Sequence, residues 1–179
     1  MSVQGAAFLI GVLTIDLVRS VLIPVVVAAL TAAATLLITR AGDAANRRRD
    51  HYAQAVETLV AWLEFPYRVR RRTDDEPATL SALADLGHDL QERLACHEAW
   101  IATECPPVAR SYGKTRQTMG PVVGAAISEA WEMPPVTKPA EMNLGDWGPG
   151  SACASTIAAF QRQVEQRFGL SRFIAWLKP

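Results

Sequence analysis

Between Arg19 and Arg40 the chain carries no charged side chain, and residues 21–38 read VLIPVVVAALTAAATLLI. A helix needs about 20 mostly apolar residues to cross a hydrocarbon core of about 30 Å. Residues 20–39 supply that length. Thr31 and Thr35 are the polar residues inside the run, and their hydroxyls can bond a preceding carbonyl. Pro24 falls in the first turn, where a missing N–H costs least. A core helix of a soluble protein would show a polar face, and this run shows none. A cleaved signal would carry a basic N-terminal region, whereas residues 1–15 contain no Lys or Arg. The pattern therefore predicts a transmembrane helix over 20–39. Residues 5–18 form a second apolar run, which Asp16 interrupts. Asp16 and Arg19 lie one turn apart and can pair. The pattern leaves open whether residues 1–19 lie in the interface or extend the span.

Beyond the span the apolar period becomes helical. Val56, Leu59, Val60, Leu63 and Tyr67 recur at spacings of three and four, with Trp62 beside them, and predict a helix over 41–71. Pro66 should kink or end it. Thr73 and Glu76 have capping-box spacing. A second helix is expected from there to Glu104, with Leu80, Leu83, Leu86, Leu90, Leu94 and Ile101 as its stripe and Gly87 as its weak point. Cys105-Pro106-Pro107 stops it. Val108, Tyr112, Met119, Val122, Val123, Ala126 and Trp131 predict a third helix over 107–131, with a break or kink at Pro121. Residues 133–150 are rich in Pro and Gly and read as a long connection with an exposed Trp147. Ile157, Phe160, Val164 and Phe168 mark a fourth helix over 151–168 that Gly169 ends. No alternating strand pattern occurs. The fold class is all-α: an N-terminal transmembrane helix continuing into an antiparallel hairpin or bundle of about four helices. The segments are 1–19, 20–39, 40–132, 133–150 and 151–179.

Charge places the arms. Residues 40–72 carry eight Arg against four acids, net +4; residues 73–105 carry eight acids against one Arg, net −7. Opposite charges joined by a short link favour an antiparallel hairpin. Centred near Asp74, it sets Val56, Leu59 and Leu63 against Leu94, Leu90 and Leu86, and Arg47–Arg49 near Glu98 and Glu104. Up-and-down topology then brings the tail, with Phe173, Trp176 and Lys178, back to the bilayer surface, a zone that suits Trp and Lys. Flanking Arg sets orientation: only Arg19 precedes the span, and Arg40, Arg47, Arg48 and Arg49 follow it. The N-terminus is expected outside and residues 40–179 in the cytoplasm, at the plasma membrane. Ala28 with Ala32, and Ala29 with Ala33, are small-xxx-small pairs that allow anchors to associate.

Over the whole chain 18 basic residues balance 18 acidic ones, which argues against a nucleic-acid partner. Fifteen of the basic residues are Arg, and Ala is abundant, as in high-GC bacterial genomes. Cys96, Cys105 and Cys153 are odd in number and loosely spaced, so they define no disulfide framework or zinc motif. Arg68, Arg70, Arg71 and Arg72 could meet an anion, but an acidic helix follows at once and favours a structural role. Asp85, His88, Asp89 and Glu92 share one helix, which supplies too few ligands for a metal. Cys96 and Cys105 are nine residues apart, about 13 Å on a straight helix, too far to share a zinc. Gly113-Lys114-Thr115 lacks the upstream glycines and strand of a phosphate loop. No catalytic residue, cofactor or metal site is expected.

Residues 62–101, WLEFPYRVRRRTDDEPATLSALADLGHDLQERLACHEAWI, resemble a segment of small single-span membrane proteins of high-GC Gram-positive bacteria. That resemblance implies no activity and assigns no functional residue. Three classes remain. A membrane-anchored helical module would act through a protein partner or self-association, as scaffold, regulator or sensor. A membrane-active effector would assemble through its anchor and perturb the bilayer. An enzyme ranks last, because no acid–base or nucleophile constellation stands out.

Overall fold

The computed structural model describes Ile23–Phe168. Within it the fold is all-α, with helices α1 (Ile23–Arg70), α2 (Pro77–Glu104), α3 (Pro106–Glu132) and α4 (Gly150–Phe168), and a 3-10 turn at Pro139–Met142. No helix among these residues is long and apolar enough to cross a membrane. The expected span begins at residue 20, outside the described residues. Arg19, Phe173, Trp176 and Lys178 also lie outside them. The chain forms two compact units, Met1–Arg49 and Asp50–Pro179.

In the second unit each helix turns one stripe inward. Tyr52, Ala55, Leu59, Leu63 and Val69 are buried on α1, and Leu90, Leu94 and Ile101 on α2. Val108, Tyr112, Thr115, Met119, Val123, Ala126 and Ala130 line α3 at steps of three and four. Cys153, Ile157 and Phe160 line α4. The expected α1 stripe is corrected: Val60 is 42% exposed, and the inward face runs through Ala55 and the buried Thr58 instead. Val122 of α3 likewise faces out, while Thr115 and Ala130 are inside. Small residues and a threonine carry little hydrophobic signal, so neighbouring valines misplace the stripe by a fraction of a turn.

The hairpin is antiparallel but slipped from its expected register. Tyr52 lies level with Trp100 and Glu104, and Thr58 with His97. Leu94 joins Leu59 and Leu63 in one core cluster, and Leu90 joins Phe65 and Val69 in another. The slip follows from the link. Glu76 is the N-cap of α2, makes no side-chain cap bond, and is followed by Pro77. Proline at the first helical position carries no N–H to be capped, so the expected Thr73–Glu76 box does not form. Asp74 instead accepts from the Glu76 amide at 3.1 Å, and its carboxyl is held low by Thr79 and that amide. The turn centre moves downstream as a result.

Single-residue Cys105 joins α2 to α3 in extended backbone. Across it Arg116 pairs with Glu98, and the Tyr112 hydroxyl donates to the Leu94 carbonyl at 3.4 Å. Pro66 and Pro121 both lie inside helices that continue past them. Of the two outcomes expected at each proline, a kink or an end, the end does not occur at either. Pro66 is fully buried, and the packing around it outweighs one lost backbone bond.

Gly87 has a packing reason. A Cβ there would lie 2.9 Å from Cζ and 3.2 Å from Cε1 of Phe65, whose ring is only 5% exposed. Helix propensity alone favours Gly87→Ala by roughly 0.5–1 kcal/mol. Overpacking against a fixed ring reverses that sign, with an expected net loss of about 1 kcal/mol. Urea unfolding of Gly87→Ala, alone and with Phe65→Leu, checks this: the second substitution should restore the helix gain.

Candidate functional site

The four helices alternate in direction, so the start of the bundle on α1, the α2–α3 link and the end of α4 meet at one end. Tyr52, three residues after Arg49, is buried there and donates its hydroxyl proton to Glu104 at the end of α2. Arg167, in the last turn of α4, donates to the other Glu104 oxygen at 3.1 Å. The pair is well covered, with Arg167 22% and Glu104 11% exposed. Phe168 sets its edge against the Tyr52 ring at 5.6 Å, and the Arg167 guanidinium lies 5.9 Å from the Phe168 centroid. Burial and then the Glu104 carboxylate push the Tyr52 hydroxyl far above its usual range. Tyr52 therefore keeps its proton and donates a hydrogen bond to Glu104. A cleft of about 350 Å³ opens beside it, walled by Pro106, Pro107, Gln163 and Gln166. Both prolines sit in the first turn of α3 and remove amides that an anion would use.

Six residues further along α1, Thr58 and His97 face each other at 3.0 Å. Thr58 commits its one proton to the Gln54 carbonyl at 2.9 Å, so His97 Nε2 carries the hydrogen and donates. Burial, Arg93 and His51 hold the His97 pKa below its ordinary value. The unfolded chain then takes up that proton first, at about pH 6.5. Stability is full above that pH and falls as pH drops below it. Thermal melts between pH 7.5 and 5.5 should show the fall, and His97→Gln should flatten it.

The Arg run at the opposite end is structural. Arg72 is buried and donates to the Val69, Ala130, Trp131 and Met133 carbonyls and to Asp75. Arg70 reaches the Pro134 carbonyl and Arg71 that of Met142, both at 3.2 Å. Trp147 is not an open surface: it is half-buried, meets Tyr67 edge-on at 5.5 Å and donates from its indole nitrogen to Glu129 at 2.8 Å. These contacts hold residues 133–150 against the bundle, and a composition of Pro, Gly and Trp gave no sign of them.

In the first unit Ala28, Ala29, Ala32 and Ala33 are all exposed, as are Arg40, Arg47, Arg48 and Arg49. Ala28 and Ala32 line one shallow groove with Thr31, Thr35, Leu36 and Thr39; Ala29 and Ala33 are not part of it. Thr35 donates to the Thr31 carbonyl and Thr39 to that of Thr35, each at 2.9 Å. Among the described residues no group of three or more His, Cys, Asp or Glu is placed to hold a metal ion. Asp85, His88, Asp89 and Glu92 are exposed. Cys96 is exposed and Cys105 half-exposed, while Cys153 is buried and its thiol pKa raised by that burial. No family model, curated protein or solved structure matches the chain.

Proposed function

We propose that the protein is a non-enzymatic helical interaction module held at the cytoplasmic face of the plasma membrane by residues 20–39, acting on a protein partner or a second copy as scaffold, regulator or sensor. The supporting observation is the contrast along α1. From Asp50 onward the helix is a packed wall of the bundle. Before it, Leu30 is 65%, Leu36 52%, Leu37 67% and Ile38 73% exposed. A contiguous apolar surface of this kind needs a cover, and lipid is the cover that suits a run with no charge from residue 20 to 39. Arg40 and Arg47–Arg49 supply the positive flank, on the cytoplasmic side by the orientation rule. The end of α4 lies beside Tyr52, at the end of the bundle that holds the first residues of this unit; Phe173, Trp176 and Lys178 lie outside the described residues, and their contact with the bilayer surface is part of this proposal.

A second reading, a bilayer-perturbing effector, draws on the groove lined by Ala28 and Ala32. The Thr35 and Thr39 hydroxyls on it bond carbonyls of their own helix, which favours close packing between anchors.

Fractionation with thiol labelling tests the first reading. The full chain should sediment with membranes and resist carbonate, and deletion of residues 1–39 should release it. An impermeant maleimide should reach Cys96, the exposed thiol, only after permeabilisation. A carbonate-soluble full chain removes the anchor, and labelling in intact cells inverts the orientation. Growth arrest on expression, abolished by the same deletion, would favour the effector.

A further inference from the structure

The seam between α3 and α4 opens into a cleft of about 430 Å³. α3 lines it with Ser111, Lys114, Thr115 and Thr118, and α4 with Ser155, Thr156, Ala159 and Gln163. Its size falls among small-molecule sites, roughly 300–1,000 Å³, and its wall is hydroxyl, carboxamide and ammonium. Three observations separate it from a seam that is merely wet. The first is sign. In a chain of 18 basic and 18 acidic residues, α3 has no Asp or Glu from Pro106 to Ser128, and α4 has none from Gly150 to Val164. The same stretches carry Arg110, Lys114, Arg116 and Arg162. Arg116 is paired with Glu98, whereas Lys114 makes no ion pair among the described residues. Arg110 stands one turn before Lys114, and Arg162 one turn after Ala159, so both fall on the rims of the cleft. Glu165, two residues past Gln163, turns away from it. The second observation is unspent hydrogen bonding. Thr35, Thr39, Thr58 and Thr115 each donate to the carbonyl four residues back, a common course for a helical threonine. The side chains of Ser111, Thr118, Ser155 and Thr156 make no hydrogen bond among the described residues. The third is Ala159. It stands between Thr156 and Gln163 on the α4 wall, and its single methyl leaves the space open. In the adjoining cleft, by contrast, Arg167 is already paired with Glu104.

We propose that the α3–α4 cleft binds a phosphorylated polyol, of the sugar-phosphate class. Lys114, with Arg110 and Arg162 on the rims, serves the phosphate, whose oxygens accept charge-assisted hydrogen bonds. The four unspent hydroxyls and Gln163 serve the polyol, because hydroxyls and carboxamides both donate and accept. A cleft walled by one sign of charge also concentrates anions from solution. Gly113-Lys114-Thr115 is then no phosphate loop: its lysine acts from the face of a helix. The same chemistry occurs on a free sugar phosphate and on a phosphorylated inositol headgroup. This inference goes beyond the proposed function and stands whether or not residues 20–39 enter a bilayer.

Calorimetric titration of the full chain in a neutral detergent tests it. The probes are hexose, pentose and triose phosphates, with short-chain phosphatidylinositol phosphate as the lipid arm and glucose and inorganic phosphate as controls. The best sugar phosphate or the lipid should bind at least about tenfold more tightly than inorganic phosphate, and glucose should not bind at the same concentrations. Whichever probe binds more tightly assigns the source. Lys114→Met should weaken binding about tenfold or more, the loss of one hydrogen bond to a charged group, and Lys114→Arg should retain most of it. Ala159→Leu should abolish binding by filling the cleft while thermal unfolding stays unchanged; Thr118→Phe fills it from the α3 side should Ala159→Leu fail to fold. No saturable binding by any probe overturns the site. So does binding that the cleft-filling variant leaves intact. Glucose binding as tightly as its phosphate, or Lys114→Met without effect, overturns the phosphate reading.

Discussion

Replacing Arg72 with Ala should cost about 3–5 kcal/mol and lower the midpoint of thermal unfolding by on the order of 10 °C or more. The side chain is 4% exposed. Its guanidinium fills the space between the C-terminal ends of α1 and α3. At a helix C-terminus the last carbonyls have no amide partners and carry the negative end of the dipole. Arg72 meets this at two helices with one planar group: Nη1 binds the Val69 and Ala130 carbonyls at 3.2 and 2.8 Å, and Nη2 binds those of Trp131 and Met133. Its own carbonyl accepts from the Val136 amide at 2.8 Å, which sets the course of the chain after α3. The Trp131 ring covers the group at 5.5 Å. Lysine has the charge but not the fork, so Arg72→Lys should still lose about 2 kcal/mol. Asp75 is the minor partner, being 53% exposed, and Asp75→Asn should cost under about 1 kcal/mol. Denaturant unfolding of the three variants orders them. A loss below 1 kcal/mol for Arg72→Ala would show that water serves those carbonyls as well as the guanidinium does.

The second large effect is expected at Gly148, where Ala should destabilise by about 2–3 kcal/mol. Two costs coincide there. At φ 106° the backbone occupies a region that a side chain disfavours, and a Cβ would stand 2.5–2.6 Å from the Tyr67 ring. Gly145 separates them, because its φ is 55° and nothing lies within 4 Å of its Cβ position. Gly145→Ala should therefore cost only about 1 kcal/mol, the left-handed penalty alone. Combining Gly148→Ala with Tyr67→Ala measures the steric part as a coupling energy. If the two glycines respond equally, the close approach of Tyr67 is not what holds this segment.

Long, strongly patterned stretches were the legible ones. The end of α2 at Glu104 and the start of α3 at the Pro106-Pro107 pair follow from prolines and from apolar steps of three and four. Ile101, Tyr112, Met119, Ile157 and Phe160 are core residues on both readings, since large side chains at helical spacing have one place to go. The antiparallel hairpin was legible from the +4 and −7 arms, but its register was not. Charge complementarity falls off slowly with distance and tolerates a slip of a few residues, whereas the Glu76-Pro77 start of α2 does not.

The Tyr52–Glu104–Arg167 contact at the end of the bundle was legible only in part. Tyr52, Glu104 and Arg167 are far apart in sequence and belong to no motif. Up-and-down topology predicts only that the three helix ends meet. Arg72 shows the same divide. Its place in an Arg run reads as one more surface charge, because a sequence shows the cation and not the carbonyls around it. By itself the sequence determined the all-α class and the general inward face of the helices, through local propensity and hydrophobic period, which act within one or two turns. The tertiary structure decided which arginine is buried, why Gly87 and Gly148 must lack a Cβ, and how the two ends of the bundle are tied. Those depend on backbone carbonyls and ring faces brought together by packing, and no spacing along the chain encodes them.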